Sequence, residues 1–287
     1  MNYKITSNNI NDLYKLLIKN VNRGYDFESA PRGKKIKEII GMTSVLEDPL
    51  DCLITIKERK LNYKFAIIEK FEYLWGKHDP ERLIDYNSNV KSYAGQYNYF
   101  DGNYAQRFNY WIDHIYHLLK NDNDSRQAVI SIYDPTARHQ STDIPCTLSL
   151  QFFIRENKLH LITTMRSNDL LWGFPYDVNA FCFIQEVMAY WLGIGIGVYT
   201  HQVGSSHIYL EPTQNYEQLI SCVDSKENVQ IENPKWNLSY EETQEWLPYF
   251  FHCESRIRRG VMKMSEVGIM PEVLKKYLEI LSYKWLK

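Results

Sequence analysis

The 287-residue chain carries no excess of charge: 33 Lys and Arg against 35 Asp and Glu leave a net −2 at pH 7. That balance excludes a general basic field for recruiting nucleic acid, so no nucleic-acid partner is expected, although local arginine clusters remain open. The five cysteines, Cys52, Cys146, Cys182, Cys222 and Cys253, are scattered, odd in number and without a CxxC pair. Neither a zinc knuckle nor a disulfide framework is indicated. The longest apolar run, around WLGIGIGVY, is broken by three glycines and is too short to span a bilayer. The first residues, MNYKITSNNINDLY, lack the apolar core of a secretory signal. A cytoplasmic protein with reduced thiols and no membrane partner is expected. No repeat, low-complexity tract or linker divides the chain, which predicts a single domain over residues 1–287.

What is present has ordinary globular composition, 44% hydrophobic and 24% charged. Leu13, Leu16, Leu17 and Val21 share one face and predict a helix over residues 7–21, with Ser7 as its cap. KFAIIEKFEYLW, residues 64–75, predicts a second helix closed by Gly76. Residues 103–119 and 240–251 predict two more, while APRGKKIKEIIG reads as a basic, glycine-containing loop. TLSLQFFIR, Glu156-Asn157 and KLHLITTMRS read as strand, turn and strand. Residues 177–192 then show helical spacing closed by Gly193, and GVYTHQVGSSHIYL returns as a strand. Strands in runs, rather than strict βαβ alternation, indicate an α+β fold.

The stretch TMRSNDLLWGFPYDVNAF, residues 164–181, sets Arg166, Ser167, Asp169 and Asp177 among Trp172, Gly173, Phe174, Pro175 and Tyr176. Polar groups spaced among aromatics are what a pocket lining looks like. Cys146, in DIPCTLSLQF, follows a proline at the start of a strand, where a reactive side chain can face a cleft; a small buried hydrophobe is the alternative. A thiolate there needs a cation, and the hairpin returns Arg166 to its vicinity. Glu72 shares a helix face with Ile68 and Trp75, which suits a half-buried carboxyl with a raised pKa, whereas Glu69 reads as a solvated charge. Asp177 reads equally well as the N-cap of the helix it precedes. Taken singly, His207 reads as a satisfied core or loop histidine, and Arg32, Arg126 and Arg166 read as surface arginines.

In order, the motifs say more. IPC, QF, MRSND, GFPYDV and HQVGSSHIY, spread over residues 144–209, resemble the thymidylate synthases in residue type and spacing. FEYLWG resembles that family's glutamate-bearing helix, PRG its mobile arginine loop and NDSRQ its arginine segment, so the resemblance covers most of residues 10–215. It implies a thymidylate synthase-like α+β fold, a mixed sheet with helices packed on it, and a sheet-mediated homodimer. It also implies roles. Cys146 would add to C6 of a pyrimidine nucleoside monophosphate, and Glu72 would organise water and relay protons. Arg32, Arg166 and Ser167 would bind the 5′-phosphate, joined by Arg126 from across the dimer interface. His207 and Tyr209 would hydrogen-bond the sugar. Asp169, Trp172, Gly173 and Tyr176 would line the side taken by the co-substrate, 5,10-methylenetetrahydrofolate, and no metal is implied. The chemistry agrees: C5 of a pyrimidine is a poor nucleophile until a thiolate adds at C6, which requires a cysteine, cations on the phosphate and a proton-handling acid.

Three departures from the family pattern point to the base and the product. Asp177 stands where uridylate-using synthases carry Asn, whose amide donates to O4 and accepts from N3–H. Cytosine inverts that pattern; a carboxyl accepts from its N4 amino group and shares a proton with N3. Asp at this position resembles the cytidylate hydroxymethylases. Thr147 replaces the usual His, and the closing residues EILSYKWLK do not match the segment that seals the folate. A site less sealed from water suits capture of an exocyclic methylene by water rather than by hydride. Gln127 also replaces one of two adjacent arginines. The sequence therefore predicts a cytidylate 5-hydroxymethylase acting on CMP or dCMP, with thymidylate synthase as the runner-up. The rivals from other classes are a cysteine hydrolase pairing Cys146 with His201 or His207, and a non-catalytic nucleotide- or RNA-binding module.

Overall fold

The computed structural model describes residues 3–93, 100, 102–134, 144–211 and 215–283; the last residues of EILSYKWLK lie outside them. Its centre is a seven-stranded mixed sheet. The strands are β1 (Lys4–Ser7), β2 (Phe27–Ser29), β3 (Ile36–Leu46), β4 (Val129–Ser131), β5 (Thr147–Arg155), β6 (Lys158–Asp169) and β7 (Gly195–Tyr209). They lie in the order β1-β3-β7-β6-β5-β4, with β2 also paired to β3. Among the described residues eight helices accompany the sheet: α1 (Ile10–Arg23), α2 (Tyr63–Trp75), α3 (Pro80–Tyr86), α4 (Ala105–Asn121), α5 (Phe174–Leu192), α6 (Tyr216–Ser221), α7 (Tyr240–Arg258) and α8 (Glu272–Ser282). This is the expected α+β architecture, a mixed sheet with helices packed on it.

The hairpin of β5 and β6 turns on Glu156 and Asn157, at φ 52° and 55°. Two successive positive φ values give the turn whose twist matches that of the flanking strands. Leu150, Phe152 and Ile154 on β5 and Leu159, Leu161 and Met165 on β6 are buried on one face, while Phe153, Ile162 and Thr164 alternate onto a half-exposed outward face. One-sided burial holds the register, because a one-residue slip would turn every apolar side chain outward. β6 and β7 run parallel, and α5 makes the crossover between them.

α5 is buried on nearly all sides and packs between the sheet and α2. The Phe71 ring on α2 lies 4.4 Å from Phe250, 4.9 Å from Tyr277 and 5.4 Å from Phe183, which locks α2, α5, α7 and α8 together. Each such ring contributes roughly 1.5–3 kcal/mol by burial.

The structure moves several expected boundaries. Ser7 lies in β1, and Asn9 caps α1 instead, accepting the Asp12 N–H at 3.0 Å. The basic stretch is a loop only as far as Lys35; β3 begins at Ile36 and pairs with β7 in unbroken register through Gly41, where φ is 73°. α5 starts three residues earlier than expected, and α7 runs on to Arg258.

Candidate active site

Cys146 is half-buried at the entry to β5. The Tyr104 hydroxyl, from the edge of α4, accepts the backbone N–H groups of Cys146 and Thr147, each at 3.2 Å. The Arg166 N–H donates to the Cys146 carbonyl at 2.9 Å. Its guanidinium turns onto the same segment, Nε to the Pro145 carbonyl at 2.9 Å and Nη2 to the Ile144 carbonyl at 2.8 Å. The hairpin thus brings Arg166 beside Cys146, and two of its donors hold the backbone that positions the cysteine. Gly204 on β7 permits this closeness, since a Cβ there would lie 2.6 Å from the Arg166 carbonyl oxygen.

Asp177 is not a cap. Its N–H donates to the Gly173 carbonyl at 3.0 Å inside the first turn of α5, and Gly173 is the N-cap residue. The Asp177 side chain leaves the helix toward β6, where Asn168 Nδ2 donates to Oδ2 at 2.8 Å. Burial pushes the Asp177 carboxyl up to about 7, against the Asn168 hydrogen bond and with help from the charge of Asp169. An acid placed so far up its range is present in both protonation states at neutral pH.

The α2 carboxyl that feels the charge of Asp177 is Glu69. Burial, and then the charge of Asp177, push Glu69 up to about 8, opposed by a hydrogen bond with the Tyr73 hydroxyl. Tyr73 packs 5.6 Å from Tyr104, and burial raises both phenols, with Asp177 adding to each and Cys146 adding to Tyr104. Glu69, Tyr73, Tyr104, Asp177 and Cys146 therefore form one electrostatically coupled group. Glu69 is half-buried with the Tyr73 hydroxyl as partner, which corrects its reading as a solvated charge.

Glu72 belongs elsewhere. It is fully buried, accepts from Arg82 Nη1 at 3.1 Å and the Asp79 N–H at 3.3 Å, and meets His78 Nδ1 at 3.3 Å. Arg82 continues to Glu254 at 3.1 Å, and Glu254 to Arg258 at 2.8 Å, so the cluster ties α2 and α3 to α7. Burial raises the Glu72 carboxyl while His78 and Arg82 pull it back. The expected half-buried setting of Glu72 is corrected accordingly: it is fully buried in ion pairs, and the α2 carboxyl that feels the charge of Asp177 lies one turn earlier.

The other expected residues gather at the far ends of β6 and β7. Arg32 sits in the turn Pro31–Gly33 at φ 55°, left-handed for a non-glycine residue. Tyr209 pairs with Ile36 just beyond that turn. Burial and Asp169 raise the Tyr209 phenol, whereas Arg32, within hydrogen-bonding reach of its hydroxyl, lowers it. His207 is buried, 5.2 Å edge-on to Tyr209, with Nδ1 against the Ser205 carbonyl at 3.2 Å. Ser167 pairs with Ser205 and Asp169 with His207 across the β6–β7 ladder. The Asp169 carboxylate closes the next turn by accepting the Leu171 and Trp172 N–H groups at 2.8 and 2.9 Å. Arg126 lies before β4 on the outward side of the sheet, where its carbonyl accepts from Gln151 Nε2 at 3.0 Å.

Trp172 and Tyr176 have an unforeseen neighbour. Arg59 is 2% exposed, its guanidinium 5.9 Å from the Trp172 ring and 5.8 Å from the Tyr176 ring, and its Nε has no hydrogen-bond partner among the described residues. The residues missed from sequence are thus Tyr73, Tyr104, Arg59, Asn168 and Tyr199, while Glu69 was read as solvated and His201 only as a rival partner for Cys146. A legible sign existed for two of them: Glu69 and Tyr73 are four apart on one helix. Among the described residues no group of His, Cys, Asp and Glu is arranged to hold a metal ion. Among them, too, no helix is long and apolar enough to cross a membrane.

Comparison with known proteins gives a consistent family picture. The thymidylate synthase family profile matches residues 14–247. The chain is 30% identical over 263 residues to a deoxyuridylate hydroxymethyltransferase of Bacillus phage SP01, spanning 80% of this chain and 69% of that protein. It is 31% identical over 183 residues to a deoxyuridylate hydroxymethyltransferase of Pseudomonas phage M6, spanning 59% of this chain and 51%, about half, of that protein. Over 104 residues it is 30% identical to thymidylate synthase 1 of Bacillus spizizenii, spanning 36% of this chain and 37% of that protein.

Proposed function

From its place in the thymidylate synthase family, to which the chain belongs, we propose that it is a cytidylate 5-hydroxymethylase acting as one domain over residues 1–287. The enzyme moves a one-carbon unit from 5,10-methylenetetrahydrofolate to C5 of CMP or dCMP and releases tetrahydrofolate. The observation that carries this reading is Asp177. Its carboxyl is pushed up to about 7 and keeps an acceptor oxygen fixed by Asn168. A cytosine pair needs one oxygen to accept from N4 and one shared proton for N3, and a carboxyl in this range supplies both.

Cys146 would add as thiolate to C6, making C5 nucleophilic toward the one-carbon unit. Once that carbon is bonded, a base would take the C5 proton as tetrahydrofolate is expelled, water would add to the resulting exocyclic methylene, and elimination of the cysteine from C6 would restore the ring. The reduced folate supplies that carbon when bound. Half-exposed Trp172 would offer a flat face for it with Tyr176 buried beside it, Asp169 and Gly173 border them, and Arg59 behind them has no partner for its Nε among the described residues. Glu69, protonated at neutral pH, takes the proton-handling role. Arg32, Arg166 and Ser167 hold the phosphate, and His207 and Tyr209 the sugar. The outward sheet face, with half-exposed Phe153, Ile162 and Val198, pairs with a second copy and delivers Arg126 to the neighbouring site.

A second reading, hydroxymethyl transfer to deoxyuridylate, is favoured by what both phage relatives are named. Incubation with CMP, dCMP and dUMP in parallel, with product analysis by mass, separates the two. The expected product is a 5-hydroxymethylcytidylate with tetrahydrofolate. Turnover of dUMP alone would replace the substrate, and release of dihydrofolate, seen by its absorbance, would mark a synthase.

A further inference from the structure

A carboxyl can place its proton on either oxygen, so by itself Asp177 does not distinguish a partner that donates from one that accepts. Behind it runs a chain of groups that does. Asn168 presents Nδ2–H to Asp177 Oδ2 at 2.8 Å, and its own Oδ1 meets His201 Nε2 at 3.0 Å. His201 Nδ1 meets the Tyr199 hydroxyl at 2.7 Å. Tyr199, His201 and Asn168 are 1%, 1% and 3% exposed, so no bulk water competes for these bonds.

The direction of the chain follows from its members. Burial keeps His201 neutral, so its ring carries a single proton, and burial keeps the Tyr199 phenol protonated. An ionised Asp177 oxygen can only accept, so Asn168 Nδ2 donates to it, the Asn168 oxygen takes the His201 Nε2 proton, and Nδ1 is left to accept from Tyr199. The imidazole is held in place by the edge of Phe174, 5.3 Å away at 89°. At the other end, Gly173 leaves room for the amide, since a Cβ there would lie 2.6 Å from Asn168 Nδ2. The reversed chain would turn the Asn168 oxygen toward Asp177 and demand a proton on Oδ2, exchanging the donor and acceptor oxygens shown to the base.

We propose that Tyr199, His201 and Asn168 are positioning residues for base selection, forming a one-way relay that keeps Asp177 Oδ2 an acceptor and leaves the carboxyl proton to Oδ1. The relay rests on the reading of Asp177 as the contact to the base. It reaches that base from about three residues away, through side chains that never touch the nucleotide. The Asp177 carboxyl is thereby made to behave as an acceptor–donor pair of fixed order, which is what tells cytosine from uracil.

The test uses Tyr199→Phe, which removes one hydroxyl from a packed ring, and Asn168→Leu as the stronger lesion. The readout is the ratio of kcat/KM for cytidylate to that for uridylate, because a ratio within one protein is insensitive to the fraction folded. The expected result is a fall of tenfold or more in Tyr199→Phe, and a larger one in Asn168→Leu if that protein folds. A ratio unchanged within twofold in folded Tyr199→Phe overturns the relay. Independently, ¹⁵N NMR of the nucleotide-free wild type should show His201 as the Nε2–H tautomer, and an Nδ1–H tautomer overturns it. Wild type inert toward cytidylate would instead overturn the substrate reading, while the tautomer measurement, made without nucleotide, still judges the relay.

Discussion

Replacing Glu69 and Glu72 separately by glutamine should give opposite outcomes, although the two lie one turn apart on α2. Glu69 rises from 4.5 to about 8 in the folded protein. A raised carboxyl contributes stability that is complete below the unfolded value near 4.5 and is lost as pH climbs through about 8. At about 1.4 kcal/mol per pKa unit the ionised form is penalised by up to ~5 kcal/mol, and partial exposure reduces that to roughly 2–3 kcal/mol. An amide has no ionised form, so Glu69→Gln should match wild type near pH 4 and exceed its stability by roughly 2 kcal/mol at pH 9. Its turnover should fall by about 10²–10⁴, the usual weight of a general acid or base. Glu72→Gln removes a buried partner of Arg82, a loss of about 3–5 kcal/mol, held to the lower end because Arg82 keeps Glu254 and Asp79. Turnover per folded molecule should survive. Urea unfolding at pH 4, 7 and 9, with turnover scaled to the folded fraction, measures both. If Glu72→Gln abolishes turnover while Glu69→Gln retains it, the assignment made from burial and neighbours is wrong.

Three further outcomes are expected. Cys146→Ala and Cys146→Ser should bind nucleotide, by calorimetry, yet form no product, whereas conservative changes at the buried Cys52, Cys182, Cys222 and Cys253 should leave the chemistry largely intact; near-normal turnover in Cys146→Ala would end the covalent mechanism. Mixing inactive Cys146→Ala with inactive Arg126→Glu should recover some activity through hybrid dimers, and no recovery despite demonstrated subunit exchange would mean that each site is self-contained. Asp177→Asn should shift preference from cytidylate toward uridylate by one to two powers of ten, the weight of a bidentate base contact of about 1–3 kcal/mol. A competition assay reads that shift, and an unchanged preference would remove Asp177 from base recognition.

What was legible in the sequence was local. The β5–β6 hairpin announced itself through alternation around Glu156-Asn157, and α2 through a glycine that the chain does place at φ 68°. β3 was hidden because lysines crowd its start and Gly41 interrupts its alternation, features that also suit a loop. The start of α5 was misplaced because Gly173 offers no capping side chain, so Asp177, the nearest acid, looked like the cap. The choice between Glu69 and Glu72 was not available from a helical wheel: α2 is buried on nearly every side, and a one-face argument has no face to select. Which carboxyl feels the charge of Asp177 and which meets Arg82 depends on α3, α5 and α7, whose positions no spacing within α2 reports. Asn168 and His201 were in view within MRSND and HQVGSSHIY, but the ladder sets Asn168 against Ser206 and His201 against Thr163, so no spacing reports that their side chains meet at 3.0 Å.

The placement of β3 against β7 has a consequence for the growing chain. β1 and β2 pair with β3 from its own neighbourhood, but the edge that β7 will cover waits for a strand that begins about 150 residues later. At about 5–20 residues per second, that edge stays open on the ribosome for on the order of 10–30 s. Lys34, Lys35 and Lys37 crowd its start, and charged side chains of this kind keep an open edge from recruiting another chain. Ile36 meets Tyr209 in the final register, and the Lys35 carbonyl accepts from the Leu210 N–H at 3.0 Å. Closing that last seam during synthesis is therefore the same event that carries the Arg32 turn to Tyr209, so the pair proposed to hold phosphate and sugar comes together only once β7 has been made.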